Sequence, residues 1–101
     1  MNITKEIILT KLKQLKPYFE EEGIILLGLF GSYANGNFSK YSDIDIAYKI
    51  NYDKFSKKYK GGFSKLIKID DIKKELEKQF QKPVDFVSDS NKKIIQGLLY
   101  V

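Results

Sequence analysis

A central segment of the chain, residues 24–50, reads IILLGLFGSYANGNFSKYSDIDIAYKI. Its first part, Ile24 to Phe30, is a short apolar run bounded by glycines, which is typical of a strand buried on both faces. Its last part, Asp43 to Ile50, alternates polar and apolar side chains and predicts a second strand with one acidic face. The residues between them, Gly31 to Ser42, are polar and turn-rich. The segment therefore predicts two strands joined by a polar turn.

The flanking sequence adds helices and a third strand. Apolar residues at spacings of three to five predict a helix over residues 3–22, kinked or restarted at Pro17, and a second helix over about residues 65–80. Pro83 opens a predicted strand from Val84 to Ser88. The order of elements predicts an α/β fold: a small mixed β-sheet with flanking helices in a single domain, residues 1–101.

Two further segments have weaker patterns. Residues 51–63 contain four lysines and Gly61-Gly62, so we expect a mobile surface loop. Ser90 is expected to cap a last short helix. Its apolar residues would be Ile94, Ile95, Leu98 and Leu99.

The composition excludes several classes of chemistry. The chain has no cysteine and no histidine, which rules out Ser-His-Asp and Cys-His hydrolases and makes a zinc site very unfavourable. Any catalysis must use carboxylates, hydroxyls, lysines or a hard metal bound by oxygen. No apolar stretch is long enough to span a bilayer and no signal-peptide pattern is present, so we expect a cytoplasmic protein without membrane contact.

The net charge of +5 first suggests an anionic partner. All 18 basic residues are lysines, whereas dedicated DNA and RNA readers usually use arginine for bidentate contacts. The basic balance alone therefore does not indicate direct nucleic-acid binding.

Two aspartates on the second strand predict a cation site. Asp43 and Asp45, at positions i and i+2, share one face with Cα atoms about 6.5 Å apart. Two like charges at this separation repel each other and raise one pKa, and a divalent cation relieves that repulsion. Magnesium suits paired carboxylates completed by waters and substrate phosphates.

A phosphate site is expected beside this pair. Gly31 and Ser32 follow a strand and begin a helix, which leaves backbone N–H groups available for phosphate oxygens. Glycine lets a phosphate approach the backbone, and the Ser32 hydroxyl adds a donor. Asp85 becomes a third carboxylate of the site if its strand pairs beside Asp43–Ile50. It would then bind the cation or accept the proton of an attacking hydroxyl.

These residues resemble a known signature. Leu29–Gly36 together with Ser42–Ile46 is similar to the motif of the polymerase-beta-like nucleotidyltransferases. The acidic strand around Asp85 and the small size resemble the minimal nucleotidyltransferases (MNT), the antitoxins of HEPN/MNT toxin–antitoxin pairs. Many relatives have a basic residue where this chain has Asn35, and Lys40 is the nearby lysine that would replace it.

The resemblance implies a polymerase-beta-like nucleotidyltransferase fold and a reaction. Gly31 and Ser32 would hold the triphosphate of ATP, and Asp43, Asp45 and Asp85 would form the catalytic, Mg²⁺-binding triad. A hydroxyl would attack the α-phosphorus, AMP would be transferred and pyrophosphate released. The implied acceptor is a tyrosine of a HEPN-type ribonuclease toxin, which the modification inactivates.

Other functions stay open at this point. An antitoxin with a weak or vestigial site would neutralise its toxin by direct binding. The same chemistry would also serve a small-molecule acceptor or a nucleic-acid end, although such enzymes usually need a second domain to hold the acceptor. A plain nucleic-acid-binding domain has only the lysine-rich composition in its favour.

Overall fold

The computed structural model describes residues 3–91 and 97–101. In chain order the elements in these residues are α1 (Lys5–Glu20), β1 (Ile24–Phe30), α2 (Gly31–Asn35), β2 (Ile44–Ile50), α3 (Tyr52–Lys58), α4 (Gly62–Phe80), β3 (Val84–Ser88) and β4 (Leu99–Tyr100). The radius of gyration of the Cα atoms is 13.3 Å, which is typical of a compact chain of about this length.

The strands form one mixed sheet in the order β3-β2-β1-β4. β1 pairs antiparallel with β2 and with β4, whereas β2 pairs parallel with β3. A register shift between Leu26 and Gly28 interrupts the β1–β2 ladder. The predicted class, a small mixed sheet with flanking helices, is confirmed.

One face of the sheet is packed against the two long helices. The alternation in β2 places Ile44, Ile46 and Tyr48 in the same buried cluster as residues of α1 and α4. The fully buried helix residues of that cluster include Leu12 and Leu76. The polar positions of β2 consequently point to the other face, where Asp45 lies.

The long helices occupy nearly the predicted ranges. α1 begins after Thr4, whose hydroxyl accepts a hydrogen bond of 3.2 Å from the Ile7 N–H. The helix continues through Pro17 to Glu20 instead of restarting there. α4 begins at Gly62, a few residues earlier than expected, because Ser64 exchanges hydrogen bonds with the backbone of Gly61.

The loop predicted over residues 51–63 is wrong for most of its length, because Tyr52–Lys58 forms α3. The Asn51 side chain caps this helix by accepting from the Lys54 N–H at 3.3 Å. Phe55 points inward and is fully buried, and packing of this one ring stabilises a helix that has lysines on its exposed side.

The helix predicted at the C-terminal end is wrong for Leu99. Leu99 lies in β4, where it pairs with Leu29 of β1. Ile94 and Ile95 lie outside the described residues. Among residues 3–91 and 97–101, none of the helices has the length and apolar character needed to cross a membrane.

Candidate active site

The acidic residues predicted from the motif meet where β1 ends and α2 begins. In the β1–β2 pairing Phe30 is the partner of Asp45, so the Gly31-Ser32 turn follows directly beside Asp45. In the β2–β3 pairing Asp45 is the partner of Asp85, which places their Cα atoms about 4.8 Å apart on neighbouring strands. Asp43 lies two residues before Asp45, just ahead of β2, and is near enough for its charge to act on the Asp45 carboxyl group. The structure therefore brings the predicted triad to one corner of the sheet.

Gly31 allows the chain to pass close to the Asp45 carboxylate. Its φ of +72° lies in the left-handed region that side chains rarely adopt. A Cβ atom built on Gly31 would overlap Asp45 Oδ2 and stand only 2.9 Å from Asp45 Cγ. A glycine is therefore needed at this position both for the backbone conformation and for the space.

Ser32 contacts the acidic cluster through its backbone. Its N–H donates a hydrogen bond to the Asp45 carboxylate, an interaction that stabilises the ionised carboxyl group. The sequence had predicted that this N–H would be available to phosphate, and in the structure Asp45 is its partner. The Ser32 hydroxyl has no such role and remains a candidate donor to phosphate.

The pKa of Asp45 is shifted by its burial and by the neighbouring carboxylates. Burial raises the pKa of Asp45 above its ordinary value, and the nearby charges of Asp85 and then Asp43 raise it further. The Ser32 hydrogen bond opposes the shift only in part. Asp43 and Asp85 are exposed, whereas Asp45 is half-buried. A positive charge placed between these groups would favour the ionised form of Asp45.

The donor set fits a hard divalent cation, because every candidate ligand is a carboxylate oxygen. As the side chains stand, no group of three or more acidic residues within 3–91 and 97–101 is arranged to hold a metal ion. The exposed side chains of Asp43 and Asp85 are not fixed by packing. A cation bound at Asp45 would therefore attract these exposed carboxylates toward it.

An aromatic and basic groove of about 1110 Å³ borders α2. Tyr33, the residue after Ser32, is buried and stacks on Phe38 with ring centroids 4.5 Å apart. Lys82 lies over the Tyr33 ring at 5.9 Å and donates to the Lys40 carbonyl at 3.0 Å. Sequence reasoning missed Phe38 and Lys82, since their position beside α2 depends on how the loop before β2 folds.

The position expected to be basic in many relatives is Asn35. Its side-chain oxygen accepts a hydrogen bond of 3.0 Å from the Asn37 N–H and so stabilises the turn after α2. Lys40, the proposed replacement, lies 5.0 Å from the centroid of the Tyr41 ring and lines the groove.

Comparison with known proteins agrees with this geometry. A family model described as Nucleotidyltransferase domain matches residues 6–100. No curated protein matches the chain significantly. The matched region contains Asp43 and Asp45, the Gly31-Ser32 turn and Asp85. The chain therefore belongs to the nucleotidyltransferase domain family of the polymerase-beta-like superfamily.

Proposed function

We propose that this protein is an antitoxin that transfers AMP from ATP to a tyrosine hydroxyl of a partner HEPN-type ribonuclease toxin and so inactivates it. Nucleotidyl transfer in general follows from the family. The observation that most supports an active site is the position of Asp45 between Asp85 and the Gly31-Ser32 turn. The ATP donor, the tyrosine acceptor and the toxin are proposed from the resemblance of the motif to the minimal nucleotidyltransferases.

In the proposed reaction the tyrosine oxygen forms a new bond to the α-phosphorus of ATP. The bond from that phosphorus to the bridging oxygen breaks, and pyrophosphate leaves. Gly31 and Ser32 would hold the triphosphate, because the bare backbone at Gly31 permits close approach and the Ser32 hydroxyl adds a donor. Asp85 would either accept the hydroxyl proton or serve as a ligand.

Asp43, Asp45 and Asp85 would hold the divalent metal, such as Mg²⁺, that nucleotidyltransferases generally use. When bound, the cation neutralises negative charge on the phosphates and carboxylates. The raised pKa of Asp45, due to burial and to the charges of Asp85 and Asp43, fits this role because a cation stabilises the ionised form.

The test is transfer of AMP mass to a protein. The full chain is incubated with ATP, Mg²⁺ and the helical protein of the neighbouring gene that has an Arg-x4-His motif, and that protein is weighed by intact mass spectrometry. We expect a gain of one or more AMP units. The gain should be absent with Asp43→Asn/Asp45→Asn and present with Asp71→Asn, a matched change of an exposed aspartate on α4. An unchanged mass with the wild-type chain would contradict the proposal.

A second function is neutralisation by binding alone. It is favoured by the finding that, within the described part of the chain, the acidic side chains are not arranged to hold a metal ion as they stand. Asp43→Asn/Asp45→Asn separates the two functions. An occluding antitoxin would still suppress the ribonuclease activity of its partner with this variant, whereas a transferase would not.

A further inference from the structure

The N-terminal half of α4 exposes three large apolar side chains. Phe63, Leu66 and Ile67 are 78%, 67% and 48% exposed. Their spacing of three and four residues places them on one stripe of the helix surface, which we call the α4 patch. The buried residues of α4 lie farther along the helix, at Ile72, Leu76 and Phe80. The α4 patch therefore has no role in the core, and such clusters often mark interaction sites.

The chain segment around the α4 patch contains the excess positive charge of the protein. Residues 54–68 include six lysines and no aspartate or glutamate. The rest of the chain has 12 lysines against 13 acidic residues, so it is close to neutral. Within residues 3–91 and 97–101, Lys68 is the only one of the six that makes an ion pair, with Glu22. Lys65 and Lys68 lie on α4 together with the patch, and the exposed Asp70 and Asp71 follow it on the same helix. The segment that leads into the patch is thus strongly basic, while the helix beyond it is acidic.

The charge and the side-chain types select among possible occupants. A second copy of the chain would bring lysines against lysines, which is unfavourable. Lysines also contact nucleic-acid phosphates, but single-stranded bases are stacked on aromatic rings, whereas two of the three patch residues are aliphatic. A membrane-surface helix needs a continuous apolar face, and here the exposed face covers only the first turns of α4. A protein surface with an apolar centre and carboxylates around it complements both features.

We propose that the α4 patch, with the lysines of residues 54–68, is the docking surface for an acidic, partly apolar surface of the acceptor protein. This inference rests on the proposed function, because it assigns the partner as the protein that receives AMP. Burial of the patch would supply affinity, and the lysines would accelerate the encounter by electrostatic attraction.

The test measures binding and transfer separately, with the full chain and the neighbouring-gene protein. We expect Phe63→Ser/Leu66→Ser to weaken binding at least about tenfold in calorimetry. Tyr18→Ser is the matched control, because Tyr18 is 77% exposed but lies on α1. Lys60→Glu/Lys65→Glu should lower the association rate and its dependence on salt, whereas Lys13→Glu on α1 should change the rate by no more than about twofold. Circular dichroism checks that each variant is folded.

The outcomes distinguish this proposal from the proposed function. If the patch variants bind the acceptor protein and transfer AMP to it as well as the wild type does, the proposed docking surface is wrong while AMP transfer stands. If wild-type chain binds, the patch variants do not, and no AMP is transferred, the docking surface stands and the transferase is wrong. Absence of any complex overturns both. The same variants are also tested for binding to an RNA oligonucleotide and to vesicles containing anionic lipid. If they lose binding to either probe but still form the protein complex, the docking proposal is overturned.

Discussion

Gly31 has a left-handed backbone conformation and also lies against the Asp45 carboxylate. The left-handed φ of +72° would cost an alanine about 1–2 kcal/mol. A methyl group there would in addition push the Asp45 carboxylate away from Asp85 and from the Ser32 N–H. Stability and activity should therefore both respond to a change at this position.

Gly31→Ala should reduce nucleotidyl transfer at least about a hundredfold, because charged groups displaced by even small distances lose their catalytic geometry. Gly36→Ala is the matched control. Gly36 has a φ of +86°, but nothing lies within 4 Å of a Cβ placed there. Urea denaturation should show a loss from backbone strain for both variants, with a further loss for Gly31→Ala from the overlap with Asp45, and only Gly31→Ala should lose transfer. Equal activity of the two would contradict the role of the Asp45 contact.

Asp45 has a pKa raised by burial and by the neighbouring Asp85 and Asp43. A raised pKa means that the folded state binds the proton more tightly than the unfolded state, so the free energy of unfolding falls as pH rises from the unfolded pKa through the folded one. Above the folded-state pKa, the ionised Asp45 carboxylate lowers the free energy of unfolding by its full amount.

Asp45→Asn should therefore raise the melting temperature at pH 7 in the absence of divalent cations. The gain should shrink toward pH 3, where the wild-type carboxyl is protonated, and also when Mg²⁺ is added. Thermal melts with Asp71→Asn as the reference would check this. A lower melting temperature for Asp45→Asn at pH 7 would show that the Ser32 hydrogen bond outweighs burial and repulsion.

At the scale of elements, one polar network connects α4 with the turn after α1 and with the C-terminal end of α3. Glu22 accepts a hydrogen bond of 3.0 Å from the Tyr59 hydroxyl and forms an ion pair of 2.5 Å with Lys68. The hydrogen bond from Lys68 lowers the pKa of Glu22 despite partial burial. Burial lowers the pKa of Lys68, but the hydrogen bond and charge of Glu22 more than offset this and raise it.

Glu22→Gln should destabilise the fold by about 0.5–1 kcal/mol at pH 7, as expected for a partly exposed ion pair. The contribution of Glu22 is present above its unfolded pKa and lost as pH falls through the lowered folded value, so the difference from wild type should disappear in acid. Urea denaturation of Glu22→Gln, Lys68→Met and the double variant measures the coupling. Additive single effects would mean that the pair does not stabilise the fold.

The elements differ in how well their sequences predict them. β1, β2 and β3 were predicted because their apolar runs or alternation match a strand. α3 was missed because its lysines and the following glycines resemble a loop, while its helical signals are the Asn51 cap and a single buried ring, Phe55. The strand β4 was also missed, because two residues are too few to show a period.

At the scale of the whole molecule, the acidic site lies outside the core. Among the described residues no polar or charged side chain is fully buried, and the core cluster consists of apolar and aromatic side chains. We therefore expect the fold to form without a bound cation.

Removal of divalent metal with EDTA should abolish nucleotidyl transfer and leave the far-UV circular dichroism spectrum unchanged. Adding Mg²⁺ should raise the melting temperature of the wild type, because a ligand that binds only the folded state stabilises it. Asp43→Asn/Asp45→Asn should show no such rise. Unfolding by EDTA would contradict a purely functional role for the cation.

The sequence alone determined β1, β2 and β3, the long helices and the Gly31-Ser32 and Asp43-Asp45 motif, because each depends on side chains that are close along the chain. Only the tertiary structure decided that Asp85 stands beside Asp45, since this depends on the parallel pairing of β2 with β3. It also decided that Phe55 is buried while Phe63 is exposed, two aromatic residues in similar lysine-rich surroundings. The physical reason is that strand pairing and burial arise from contacts between segments distant in sequence, which local patterns do not encode.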